Sequence, residues 1–358
     1  VKIQAACIDL SSDTVTRPSD AMRQAMMNAT VGDESKHQDP TVNELCERVA
    51  SLLGQDRALL LPSGTMCNHI AALVYCKPGE RIIVASNSHM QTSESSGTTV
   101  LAGAMLSIVE SADGTFSPEQ VQAHMPEREG TRFSRIAMLS LEQTHNRSGG
   151  RVWPAVKIET LAQYASDNNQ ALHIDGARIM NAARATSTAP ITFAQHADSV
   201  WMSFTKGLGC PFGSVLAGSN AFIEQAWEWK YRLGGGMRQA GIMAAGCLYA
   251  LDHHIEQLDV DHRNAARLAS YIEAIDGLSL VHSHIDTNMV FFSVEDSNVS
   301  YESFCATMEE SGVRVGVENN GIIRAVTHRD ISATDIERVA EVCRQAMQTS
   351  HLVGRSYP

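Results

Sequence analysis

The chain predicts an α/β fold, with a mostly parallel sheet in a large domain followed by a smaller α+β C-terminal domain. Three observations carry this. Short runs that are apolar on both faces, "RIIVA" (81–85), "RIAMLSL" (135–141), "ALHI" (171–174), "SVWMSF" (199–204) and "SVLAG" (214–218), read as strands covered on both sides. Helical stretches lie between most of them, as the crossovers of a parallel sheet require. After about residue 255 this alternation gives way to a different mix of helix and short β pieces. The expected division is therefore 1–255, N-terminal segment included, and 256–358.

The elements follow in order. In "DPTVNELCERVASLLG", Asp39 is the expected N-cap, Pro40 the first helical residue and Gly54 the stop. Val42, Leu45, Cys46, Val49, Leu52 and Leu53 make one apolar face of that helix. "ALLL" then reads as a strand, "PSGT" as a turn and about Met66 to Cys76 as a second helix. "RQAGIMAAGCLYALDHHIEQL" reads as a helix able to bridge both domains. Beyond it come a helix in "DHRNAARLASYIEAI", a strand in "TNMVFFSV", a helix in "YESFCATMEESG" and β pieces near Val313–Val317 and Ile322–Val326. The last helix opens at "SATD", where Ser332 and Asp335 form a capping-box pattern.

Bulk properties narrow the function. The 358 residues, 44% hydrophobic and 19% charged, suffice for one large core and a smaller one. A net charge of −12 offers no electrostatic footprint for nucleic acid or an anionic membrane. No apolar run approaches a bilayer span, and the opening stretch lacks the apolar core of a secretory signal. The eight cysteines are scattered without a CxxC pair, which predicts reduced core thiols, a cytoplasmic setting and no metal site.

Ligands of an open α/β sheet collect at the carboxyl ends of its strands. Four polar features fall there. Ser63, Gly64 and Thr65 in "PSGTM" can turn backbone N–H groups at a helix start toward an anion such as phosphate. Asp175 ends "ALHI", with Arg178 three residues on as a possible structural partner. Lys206 in "SFTKG" ends "SVWMSF", a position rarely given to lysine unless it reaches water, pairs or reacts. His89 in "SNSHM" follows "RIIVA". One ligand answers all four: pyridoxal 5′-phosphate has a phosphate, a basic ring nitrogen for Asp175, an aldehyde for Lys206 and a flat face for His89.

The sequence resembles the L-threonine aldolase family, in the β-eliminating lyase group of fold-type-I pyridoxal-phosphate enzymes. The stretches that carry the resemblance include "DLSSDTVTRPSDAM", "LPSGTMCN", "LSLEQTHNRSGGRV", "ALHIDGARIMNA", "SFTKGLGCPFGSVLAG", "LGGGMRQAGIMAAG" and "RAVTHRDIS", and they extend over nearly the whole chain. The resemblance implies an aspartate-aminotransferase-type fold, a homo-oligomer whose dimers complete each other's sites and commonly pair into tetramers, and retro-aldol cleavage of L-β-hydroxy-α-amino acids to glycine and an aldehyde. The alternative on the same scaffold is elimination of a β-substituent.

Carried over by residue, the resemblance implies that Lys206 is the Schiff-base lysine, Asp175 the ring-nitrogen partner and His89 the stacking histidine and a candidate base. It places Gly64, Thr65 and the partner subunit's Arg238 at the phosphate. It gives Ser12, Arg178 and Arg324 the substrate carboxylate. Three positions depart from the family pattern: Lys36, Arg132 and Tyr231 stand where many relatives have tyrosine, histidine and a basic residue. Lys36 and Arg132 are accordingly expected to reshape the aldehyde pocket.

Overall fold

A computed structural model describes residues 7–125 and 133–353. Arg132 therefore lies outside the described residues. The chain divides into two compact units, Pro18–Ile255 and Val1–Arg17 with Glu256–Pro358. The N-terminal segment thus belongs with the smaller unit, not the larger one to which the sequence assigned it.

The strands in chain order are β1 (Ile8–Leu10), β2 (Arg57–Leu61), β3 (Arg81–Ala85), β4 (Met105–Val109), β5 (Ile136–Glu142) and β6 (Ala171–Gly176). They continue with β7 (Ser199–Ser203), β8 (Ser214–Gly218), β9 (Leu278–Leu280), β10 (Met289–Val294), β11 (Val313–Val317) and β12 (Ile323–Val326). The larger unit builds the seven-stranded sheet β2-β8-β7-β6-β5-β3-β4. Six of its strands run the same way and β8 runs against its neighbours. A β7–β8 return needs no crossover helix, so a short loop suffices, and that loop carries Lys206. The edge strand β4 went unread because it is not apolar on both faces; Met105 is exposed and its neighbours only half-buried.

Helix Pro40–Leu53 starts and stops as its sequence dictates. The Asp39 side chain accepts from the Val42 N–H, Pro40 occupies the first turn and Gly54 closes the end in the left-handed region at φ 67°. Ser332 and Asp335 form the expected reciprocal cap, with Ser332 N donating to Asp335 at 2.8 Å and Asp335 N to Ser332 Oγ at 3.1 Å. The expected bridging helix stops at His253, short of the unit boundary after Ile255, and the helix read in "DHRNAARLASYIEAI" begins at Leu258 beyond it. Of the cysteines, 67, 76, 210, 247 and 343 are buried, but Cys7 is exposed and Cys46 and Cys305 only partly covered.

The smaller unit carries the sheet β1-β11-β12-β10-β9. Parallel pairing of β1 with β11, Ile8 opposite Val313, holds the N-terminal segment there. Leu10 joins a core with Phe292, Phe304, Ile323 and Val339. This unit also buries Asp261 completely. Burial, with the charges of Asp13 and Asp330, pushes its carboxyl up to about 7 against the pull of Gln257 and Arg329.

A carboxyl raised in the folded state keeps its proton while the unfolded chain has lost it. Its stabilisation is complete below about pH 4 and is lost, at about 1.4 kcal/mol per pH unit, as pH rises to about 7. Asp261→Asn should therefore gain on wild type in thermal midpoint between pH 5 and pH 8. A difference that stays constant across that range would show that Asp261 does not titrate there.

Candidate active site

Because six strands are co-directional, the carboxyl ends of β2, β3, β5, β6 and β7 share one edge of the sheet. Strand register aligns the chemistry: Glu142 pairs with Asp175, and Asp175 with Trp201. β2 leads into helix Gly64–Tyr75, capped by Ser63, whose Oγ accepts from Met66 N at 3.3 Å. The first-turn N–H groups of Gly64 and Thr65 have no carbonyl partner within the helix and suit an anion. Gly64 is required by contact. A Cβ there would fall 2.0 Å from the Trp201 ring, so the helix start rests directly on the indole.

Asp175 is almost fully buried. Its Oδ2 accepts from Asn68 Nδ2 at 2.9 Å and its Oδ1 from Ala177 N at 3.1 Å. Burial and then the Glu142 charge push its carboxyl up to about 6, opposed by His89, Lys206 and the Asn68 hydrogen bond. A buried carboxylate of this kind has a use for a cationic N–H. Lys206 lies on the β7–β8 loop with Nζ 5.7 Å from the Trp201 ring centroid. It lines a small cavity with Arg178, Asn181 and Ser203. Arg178 is buried and its N–H donates to the Gln143 carbonyl at 3.1 Å. A neighbouring cavity is lined by Ser88, His89, Glu142, His145 and Asp175.

His89 opens a short helix after β3. Its backbone N–H donates to Glu142 Oε2 at 2.8 Å, and its Nδ1 lies 2.7 Å from Glu94 Oε1. Burial works against the imidazolium, but the Glu94 hydrogen bond and the charges of Asp175, Glu94 and Glu142 outweigh it and raise its pKa. Donor atoms of His89, Glu94 and Asp175 come within 4.8 Å of one another, a spacing that a small cation could use. Hydrogen bonds already join Glu94 to His89 and, through Asn68, to Asp175.

The smaller unit places Ser12 and Arg324 as neighbours. Ser12 Oγ accepts from Thr14 N at 3.2 Å, and Arg324 Nη2 donates to the Ser11 carbonyl at 3.0 Å. Arg324 Nη1 also meets Glu318 Oε1 at 3.1 Å. In the larger unit Arg238 is exposed. Its loop is anchored to the Glu34–Lys36 turn: Glu34 N donates to the Arg238 carbonyl at 2.9 Å and Met237 N to Glu34 Oε2 at 3.2 Å. Beneath it Lys230 and Glu34 form a fully buried ion pair. Lys36 is largely exposed with Nζ 3.6 Å from Asp33, and Tyr231 is exposed.

The sequence reading missed Asn68, Glu94, Glu142 and Lys230. Glu142 carried a readable signal, an acid closing a mostly apolar strand as Asp175 does. Asn68 was readable as the one amide within a helix otherwise rich in apolar and small residues. Glu94 and Lys230 carried none, since their burial depends on segments distant in the chain.

First-turn N–H groups at Gly64 and Thr65 placed to face an anion, a buried carboxylate, an amine and a partly open imidazole are the kinds of donor that pyridoxal phosphate needs. Fold and donor set together define an enzyme of the fold-type-I pyridoxal-phosphate class. The β-eliminating lyase family matches over residues 9–295. The chain is 38% identical over 353 residues to low-specificity L-threonine aldolase 1 of Arabidopsis thaliana, covering 98% of this chain and 99% of that one. It is 39% identical over 334 residues to the low specificity L-threonine aldolase of Escherichia coli (strain K12), covering 93% and 97%. Among solved structures, a Leishmania major threonine aldolase matches with a TM-score of 0.81 at 18% identity, over 94% of this chain and 99% of that one. The chain belongs to the L-threonine aldolase family of β-eliminating lyases.

Proposed function

We propose that this enzyme cleaves L-β-hydroxy-α-amino acids of the threonine type to glycine and an aldehyde, using pyridoxal phosphate. The observation that carries the reading is the alignment of Asp175 with Glu142 and Trp201 at one sheet edge, with His89 and Lys206 on the flanking strand ends. When bound, the cofactor supplies an electron sink for the charge left at the substrate's α-carbon. Asp175 holds a proton on the ring nitrogen. Ser63, Gly64 and Thr65 take the phosphate, together with Arg238 of the partner subunit in a homo-oligomer. Lys206 would anchor the cofactor through its amine and, once substrate is bound, would hold or return a proton at Nζ.

Ser12, Arg178 and Arg324 would hold the substrate carboxylate and so orient the substrate for cleavage of its Cα–Cβ bond. A base takes the β-hydroxyl proton, the Cα–Cβ bond breaks, the aldehyde leaves and the α-carbon is protonated to glycine. His89, or a water it holds, is the candidate base. Lys36 and Arg132 shape the aldehyde side, favouring a β-substituent with hydrogen-bond acceptors, negative charge or an aromatic ring. No described helix is long and apolar enough to cross a membrane, and we place the enzyme in the cytoplasm.

The test is an assay of the cofactor-loaded protein with L-threonine, L-allo-threonine, phenylserine and 3-hydroxyaspartate. Equal yields of glycine and aldehyde are expected. Ammonia with a keto acid would assign β-elimination instead, and no product from any of the four would reject the reading.

A further inference from the structure

We propose that Glu94 is the positioning residue of this pocket: its buried carboxylate holds the His89 ring from one side and, through Asn68, the Asp175 carboxylate from the other. The inference rests on the reading of the pocket as the cofactor and substrate site.

The hydrogen-bonding groups around Asn68 admit one assignment. Trp201 Nε1 can only donate, and it lies 2.7 Å from Asn68 Oδ1. That oxygen therefore faces the indole, and the amide's two hydrogens go to Glu94 Oε1 at 2.6 Å and Asp175 Oδ2 at 2.9 Å. His173 Nε2 lies 3.1 Å from the same Oδ1, so it carries a proton. Its Nδ1, 2.8 Å from Ser199 Oγ, accepts from the hydroxyl. Burial holds the His173 pKa down at about 3, so the ring is neutral, as this assignment requires. Asn68 is thus a fixed bridge between two buried carboxylates.

Glu94 sits in the loop between the short helices His89–Thr92 and Gly97–Ala102, with its side chain wholly buried. Burial alone would raise its pKa. The His69 ring 3.4 Å away and hydrogen bonds from His89 and Asn68 overcome that and hold the carboxyl at about 2, so it is an anion throughout the working range. A neutral His89 must then donate from Nδ1 to reach it, which leaves Nε2 as the nitrogen able to exchange a proton with the pocket. The charged groups facing His89 are Glu94, Glu142 and Asp175. His69 shares Glu94 at 3.4 Å, and Lys206 faces Asp175. Losing the Glu94 charge should release the ring and lower its proton affinity together. A residue that only packed would change neither.

The experiment uses the folded, cofactor-free protein, so its outcome is independent of turnover. The His89 ring is followed by ¹⁵N and ¹H NMR against pH, assigned with His89→Asn. In wild type the neutral ring should carry its proton on Nδ1 and titrate above the ordinary histidine value. In Glu94→Gln the midpoint should fall by at least about one pH unit. Glu94→Asp, which keeps the charge, should restore most of that shift. An Nε2-protonated neutral ring in wild type, or a midpoint unmoved in a folded Glu94→Gln, would overturn the proposal. If Glu94→Gln does not fold, the wild-type tautomer and midpoint decide alone. The aldolase reading would stand or fall separately on its products.

Discussion

Lys206→Ala is expected to abolish the visible absorbance of the cofactor-loaded protein and its turnover together. The wild-type protein should be yellow, and borohydride should bleach it by reducing the bond between Nζ and the cofactor. Lys206 is the amine that lines the small cavity shared with Arg178, and its charge reaches Asp175. On the proposed role, alanine would remove both the covalent anchor and a proton carrier. A positioned acid–base group alone is worth about 10² to 10⁴ in rate, so the loss in kcat should exceed that range. The variant should still fold, because the side chain is only half-buried at a loop. A loaded variant that keeps the wild-type band would remove Lys206 from its assigned role.

Asp175→Asn should retain cofactor yet lose turnover by about 10²-fold or more. Burial first and then Glu142 push the wild-type carboxyl up to about 6, even with the charges of His89 and Lys206 opposing them. A protonated ring nitrogen would add a further countercharge in direct reach of this carboxylate. Asparagine cannot supply the negative partner, so on this assignment the ring nitrogen would lose its proton and the electron sink would weaken. A second effect arises behind the site. Asp175 accepts from both Ala177 N and Asn68 Nδ2. An amide at position 175 can accept at its oxygen only, so its NH₂ would face either the Ala177 N–H or the Asn68 NH₂. One contact must break, and some cofactor affinity should go with it. The measurements are a spectral titration for cofactor and kcat at saturating substrate. Near-normal turnover would rule out the ring-nitrogen assignment.

Most of the large unit was legible because its strands are apolar on both faces and its helices carry their own punctuation. Asp39, Pro40 and Gly54 mark one helix at both ends without help from the rest of the chain. Asp175 and Lys206 were legible for the same local reason: a charge closing an apolar run has to be explained. The edge strand Met105–Val109 was not, since a half-exposed strand lacks that contrast. The placement of the N-terminal segment was not legible either, because a three-residue strand pairing across some three hundred residues leaves no local mark.

By itself the sequence determined the parallel scaffold, the helix limits and the strand-end residues Lys206, Asp175, His89 and Gly64, because each follows from local periodicity, capping or an out-of-place charge. Tertiary structure alone decided what stands behind those residues. Glu94 meets His89, Asn68 spans to Asp175, Trp201 sets the amide's direction, and Lys230 buries itself against Glu34. The reason is physical. A buried polar group is stable only with partners, and those partners come from segments that the sheet brings together. Their identity is a property of the register across β5, β6 and β7, where Glu142, Asp175 and Trp201 fall level, and no local pattern contains it.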